Sequence, residues 1–398
     1  DLAYITLKEM LYSPLTLVIG RQNLAYGRHL IIGNGLWRNP GLSLEYQDLS
    51  VLHGYDAIRA ILDYDPWTVD IVYIKNGEAD NTQNMAWFPA TWGADRDSDW
   101  DIYGLNVGYV WQGDIEGEVE AYGMYDRNET FNMVVGNIPG SPNRQAIFDD
   151  SRIICGGMRG SCVPYENLTL GAEVAGQWGE ITAKDGPRPQ NAAGAMETLE
   201  RDRQAMLANA FGEYTFADVR LTPVVGVEYL YTSGEEAENS GDYESWDFLG
   251  RGHKMGTIRD CLETVYTTKD IADTSGFTNQ HTVKAMCGLD LGELVDGLSL
   301  DLAYLHYWFD EVPSIDNQDD DIGDEINMTL TYDYTEDVEF VLDGAWFIPG
   351  DYYDQVHIWM PAQGDLNVGG DLQPFGAGQS MCANDMAISV IGSCKVSF

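Results

Sequence analysis

Carboxylates dominate the side chains here that could do chemistry. Aspartate and glutamate number 64 against 22 lysines and arginines, a formal charge of -42 over 398 residues. Nucleic-acid phosphates need clustered basic side chains, so no nucleic-acid partner is expected. The sequence holds no Walker loop, no HExxH and no GxSxG, and no enzyme is expected. Six histidines (His29, His53, His253, His281, His306 and His357) stand apart without ligand spacing. His306, close to Trp308, reads as an interfacial residue rather than a base. Asp319, Asp320, Asp321 and Asp324 crowd oxygen donors into one stretch. They are the candidate ligands for Ca2+, the one cofactor the sequence leaves open; without an EF-hand pattern, a solvated acidic loop is the plainer reading. The six cysteines show no CxxC spacing. Cys261 and Cys382 fall in long connections on the same side, where a disulfide is open to them. Cys287 and Cys394 occupy apolar positions of strands, as small fillers.

The elements that must position these groups are long alternating segments. From Met386 to Phe398 one face reads Met386, Ile388, Val390, Gly392, Cys394, Val396 and Phe398, and the other is mostly polar. The same alternation runs through 325–334, 338–347, 219–232 and 67–73. These segments reach ten residues or more, the length of a tilted strand crossing a bilayer. Tyr and Trp gather at their ends, at Trp111, Trp178, Tyr229, Tyr231, Trp308 and Trp346, where interfacial girdles would lie. No apolar run approaches the ~18–20 residues of a membrane helix. With 44% hydrophobic and 12% aromatic residues, disorder is excluded despite the charge.

Connection lengths point the same way. Short turns near 12–14, 65–66, 113–117, 217–218, 294–297 and 335–337 alternate with long connections near 79–98, 129–150, 180–202, 235–279, 312–322 and 349–383. Transmembrane barrels keep that order, with short periplasmic turns and long outer loops. The predicted fold is all-β: one transmembrane antiparallel β-barrel domain over 1–398, with about 15 strands. Asp1 to Met10 runs inward in this scheme, so an outward strand is expected before it and the complete protein should have 16–18 strands. The lumen face is predicted to carry Asp70, Glu118, Glu120, Asp126, Glu173, Glu213, Glu228, Asp301, Glu325, Asp333, Glu339 and Asp343. Its basic members are expected to be few: Lys8, Arg59, Arg220, Lys284 and Lys395. Rings of carboxylates favour cations, although they could equally serve to keep the interior wet.

Three stretches resemble the alginate-export family of outer-membrane barrels. They are LTLVIGRQNLAYG from Leu15 to Gly27, AEVAGQWG from Ala172 to Gly179, and FGEYTFADVRLTPVVGVEYLYTSG from Phe211 to Gly234. The terminal strand ending on Phe398 is similar to the C-terminal insertion signal of outer-membrane proteins. The resemblance implies a bacterial outer-membrane location, surrounding lipid or lipopolysaccharide, handling by the barrel-assembly machinery, and a small-molecule or ion as transported substrate. The acidic face departs from the Arg- and Lys-lined conduit that a polyanion such as alginate requires. The expected function is therefore a porin-like passive channel that prefers cations. The alternative is a structural or adhesive barrel whose acidic outer loops bind Ca2+, polysaccharide or a surface layer.

Overall fold

Side chains that alternate between oil and water demand strands, and strands of this length must pair along their whole length to satisfy their backbone groups in a membrane. In the computed structural model, which describes residues 2–9, 12–33, 54–78, 99–128, 131–132, 147–148, 151–183, 199–234, 242–246, 253, 255–261, 278–312, 319–355, 358–359, 380–381 and 386–396, fifteen long strands do so. They are β1 (Ala3–Lys8), β2 (Leu15–Gln22), β3 (Tyr55–Asp63), β4 (Trp67–Glu78), β5 (Asp99–Trp111), β6 (Glu116–Asn128), β7 (Ser151–Tyr165) and β8 (Leu168–Ala183). The series continues with β9 (Leu199–Thr215), β10 (Val224–Thr232), β11 (Gln280–Asp290), β12 (Leu298–Phe309), β13 (Asp321–Thr335), β14 (Val338–Pro349) and β15 (Ala387–Val396).

Each strand pairs antiparallel with the next in sequence. β1 and β15 are the two edges and are not hydrogen-bonded to each other, so the described strands form a curled sheet rather than a closed ring. A two-residue strand, Asp242–Tyr243, adds in parallel at Asp202 and Arg203. Two short helices, α1 (Ile258–Cys261) and α2 (Asp351–Gln355), lie in the connections.

The outer face is banded. Tyr73, Tyr103 and Tyr125 stand in cross-strand register on β4, β5 and β6, with ring centroids 5.2 and 6.3 Å apart. Ile154 and Trp178 continue the row on β7 and β8. Near the turns a second girdle holds Trp67, Tyr109 and Trp111, with centroids 4.6 and 6.3 Å apart. Between the girdles lie Val69, Ile71, Leu105 and Val107. Six residue steps from Trp67 to Tyr73 span about 20 Å of strand, close to the ~25 Å apolar height of outer-membrane barrels. Cys287 and Cys394 lie on this outer face, as expected, at the paired positions of Leu302 and Phe340.

Two departures from the sequence reading concern turns. A tight turn at Glu166 and Asn167 joins β7 to β8, with Asn167 in the left-handed region (φ 66°). The turn expected at 217–218 instead runs from Phe216 to Pro223, closed by Phe216 N–H to Pro223 O at 2.8 Å. Val219, Arg220 and Leu221 therefore belong to the turn and not to a strand. Pro223 cannot donate to the ladder, and Leu221 and Thr222 take positive φ, so β10 begins only at Val224. Arg220 is exposed there and pairs with Glu293 of the neighbouring turn at 2.8 Å; it does not line the lumen.

Candidate functional site

On the concave face the inward positions follow the predicted parity. Asp70, Asp126, Glu173, Glu228 and Glu325 are buried, whereas Glu118, Glu120, Glu213, Asp301, Asp333, Glu339 and Asp343 remain partly or fully exposed. Glu173, Glu228 and Glu325 of the buried set are covered by two pieces of connecting chain that fold inward.

The first piece follows β2. Residues 23–33 bring Leu24, Tyr26, Leu30, Ile31 and Ile32 into the interior, each 2% exposed or less. Burying five large apolar side chains, at about 1.5–3 kcal/mol each, is what draws this stretch off the rim. Gly27 adopts φ +60° against β8, and a Cβ there would collide with the Glu173 carboxylate. The next amide, Arg28 N–H, donates to Glu173 Oε2 at 2.6 Å. Tyr122 of β6 donates its hydroxyl to Glu173 Oε1, also at 2.6 Å. The Arg28 guanidinium lies 3.6 Å over the Phe211 ring of β9 and pairs with Glu228 of β10 at 3.1 Å. On the opposite wall Tyr26 sits over Arg59 (5.9 Å from the ring centroid), and Arg59 Nε donates to Asp70 Oδ2 at 2.6 Å. One short segment thus reaches β3, β8, β9 and β10, which is possible only because the sheet curls around it.

The second piece comes from the β10–β11 connection. Glu325 of β13 accepts three backbone N–H groups: Thr257 (2.5 Å) and Ile258 (2.9 Å) on Oε1, and Arg259 (2.9 Å) on Oε2. Gly256 lies so close to the wall that a Cβ would collide with the Tyr307 hydroxyl. Trp246, Met255 and Ile258 are buried beside it. The Arg259 side chain donates to Gln280 Oε1 at 3.2 Å. The two pieces also touch each other. His253 N–H donates to His29 O at 3.0 Å, and His253 Nε2 lies 2.9 Å from the Glu228 oxygen that holds Arg28. His29 is half-buried; burial, then the positive charges of His253, Arg159 and Arg28, lower its pKa below the usual imidazole value.

The interior is more basic than the sequence reading allowed. Arg159 of β7 reaches Glu118 at 2.9 Å and Glu120 at 3.7 Å. Arg203 of β9 is buried and donates to Gln177 Oε1 at 3.0 Å. Neither was expected, nor were Arg28 and Arg259. Lys284 and Lys395 keep the inward positions predicted for them, opposite Glu228 and Glu339. Lys8 is likewise inward, opposite Thr16.

The four aspartates considered for Ca2+ do not converge. Asp324 points to the outer face, accepting from Tyr304 Oη (2.6 Å) and lying 3.0 Å from His306 Nδ1. Asp319 Oδ1 caps the Asp321 amide at 3.1 Å, and Asp320 is exposed. Among the described residues no group of three or more metal-binding side chains gathers. Cys382 and Phe398 lie outside the described residues, so the Cys261–Cys382 pairing and the insertion signal have no structural counterpart here.

The sequence profile of a family described as Alginate export matches residues 1–358. Among curated proteins no relative matches. Solved structures similar to this chain include OccAB1 of Acinetobacter baumannii, at 12% identity and TM-score 0.46, covering 86% of this chain and 70% of that one. OccK11 (OpdR) of Pseudomonas aeruginosa follows at 13% identity and TM-score 0.46, covering 87% and 75%. The outer membrane protein OprD of Pseudomonas aeruginosa has 12% identity and TM-score 0.43, covering 87% and 72%.

Proposed function

Since the chain belongs to the alginate export family, and so to the channel-forming barrels of the bacterial outer membrane, we propose that it is a passive channel for small solutes that prefers cations. The observation that carries this reading is the division among inward carboxylates. Three of the buried ones, Glu173, Glu228 and Glu325, are engaged in holding the two inward segments, while those nearer the turns, Glu118, Glu213, Asp301, Asp333, Glu339 and Asp343 among them, still meet water. Accessible carboxylates on a concave, low-dielectric wall concentrate cations and repel anions. The inward segments narrow the path beside Arg28, His29 and His253, which restricts passage to small solutes. Passage is passive in this reading and no covalent step is assigned. Its surroundings are outer-membrane lipid and, during insertion, the barrel-assembly machinery.

Reconstitution into a planar bilayer under a KCl gradient tests the reading. Stepwise conductance with a reversal potential on the cation side is the expected outcome. An anion-side potential overturns the selectivity, and an electrically silent, correctly inserted barrel leaves the structural or adhesive reading in its place.

A further inference from the structure

Three inward arginines differ in what they hold. Arg59 pairs with Asp70 and Arg28 with Glu228, whose side chains are only 2% and 3% exposed. Those pairs are closed to a passing ion. Arg159 of β7 is placed differently. Its Nη2 lies 2.9 Å from Glu118 Oε1 and its Nη1 3.7 Å from Glu120 Oε1. One guanidinium thus spans two carboxylates that stand two positions apart on the inward face of β6, and Glu118 still meets water. Neighbouring strands hold the carboxylates in place. Ser161 Oγ donates to Glu118 Oε1 at 3.1 Å, and Asn106 Nδ2 donates to Glu120 Oε2 at 3.2 Å.

The position of Arg159 along the wall gives this contact its weight. It stands in register between Glu120 of β6 and Glu173 of β8. Glu173 seats the first inward segment through the Arg28 amide. Arg159 therefore lies at the seam between the accessible carboxylates and the narrowing, and an ion crossing from one to the other passes beside it. A guanidinium shared by two carboxylates cancels one of their two negative charges and takes up oxygens that a passing cation would use. We propose that Arg159 sets the strength of the cation preference, restraining it by competing with the passing ion for Glu118 and Glu120. The inference rests on the channel reading above and names a residue that determines its selectivity.

Reversal potentials of the full chain in a planar bilayer, with KCl as the probe salt, test it. R159Q should raise the cation-to-anion permeability ratio about twofold. R159K keeps the charge and should stay near wild type. On the R159Q background, E118Q/E120Q should cancel the gain, because the unmasked carboxylates are its source. A ratio in R159Q equal to or below wild type overturns the proposal, as does an equal gain in R159K or a gain that survives E118Q/E120Q. Conductance with an unaltered ratio removes this inference alone, whereas silence of wild type and variants alike removes the channel reading with it. Heat-shifted migration on a gel checks folding, and if R159Q fails that check R159M, of similar length and uncharged, decides.

Discussion

The same residue type does two different jobs in the two parts of this barrel's interior. Glu173, Glu228 and Glu325 are 1%, 2% and 0% exposed, and their oxygens hold backbone amides and basic side chains of the inward segments. Glu118, only a few strand positions nearer the turns, keeps its side chain 45% exposed. The difference lies in what the neighbouring connection contains. Where a connection supplies apolar side chains and a glycine, it folds in and turns a wall carboxylate into an anchor. Where the strands are joined by a tight turn, the carboxylate keeps its contact with water, as Glu118 does even while it pairs with Arg159 at 2.9 Å.

Substitutions can break this contrast. The largest effect is expected from Glu325→Ala, which strands three amides that had a charged acceptor. At about 1–3 kcal/mol for each unsatisfied donor, the seat of 257–259 should weaken by roughly 3 kcal/mol or more, about a hundredfold in opening. Hydrogen exchange of those amides is the measurement, and unchanged protection would show that Glu325 is no anchor. Gly27→Ala comes next. Positive φ costs an L side chain roughly 1–2 kcal/mol, and the added methyl would also meet Glu173, so protease cleavage within 23–33 should accelerate at least tenfold.

A triple change of Glu118, Glu120 and Glu213 to Gln sharpens the contrast from the other side. It should lower the cation-to-anion permeability ratio about twofold while leaving exchange at 257–259 untouched.

Acidification should act more weakly. His29 has a folded pKa below its ordinary value of 6.5, so the released segment binds a proton more readily than the seated one. The seat is at full strength above that value and loosens as pH falls below it. Conductance should therefore rise between pH 7.5 and 5.5, and His29→Asn should flatten the change. Smallest of all, Arg220→Ala should alter melting temperature and selectivity negligibly, because a solvent-exposed pair between two turns contributes within about 0.5 kcal/mol.

The wall of the barrel was readable because alternation is a local property. Trp67 to Tyr73 and Ile326 to Tyr334 state which side faces lipid without reference to any other part of the chain, and the twelve predicted lumen carboxylates keep inward parity. Arg159 was missed because β7 is rich in glycine, with Gly156, Gly157 and Gly160 blurring the apolar rhythm. Arg220 was misplaced because Val219 and Leu221 imitate that rhythm within a turn. The inward segments were invisible for a different reason: their positions depend on partners 145 and 200 residues away. A signal existed nonetheless, since Leu24, Tyr26, Leu30, Ile31 and Ile32 are too apolar for an open surface loop.

The bond between His253 N–H and His29 O has a mechanical corollary. Because the same Glu228 oxygen also lies against both Arg28 and His253, neither segment can lift without stripping contacts from the other. Their displacement free energies are then non-additive, and the pair should behave as a single latch with one threshold instead of two independent flaps. A solute pressing on either side works against the combined grip of both.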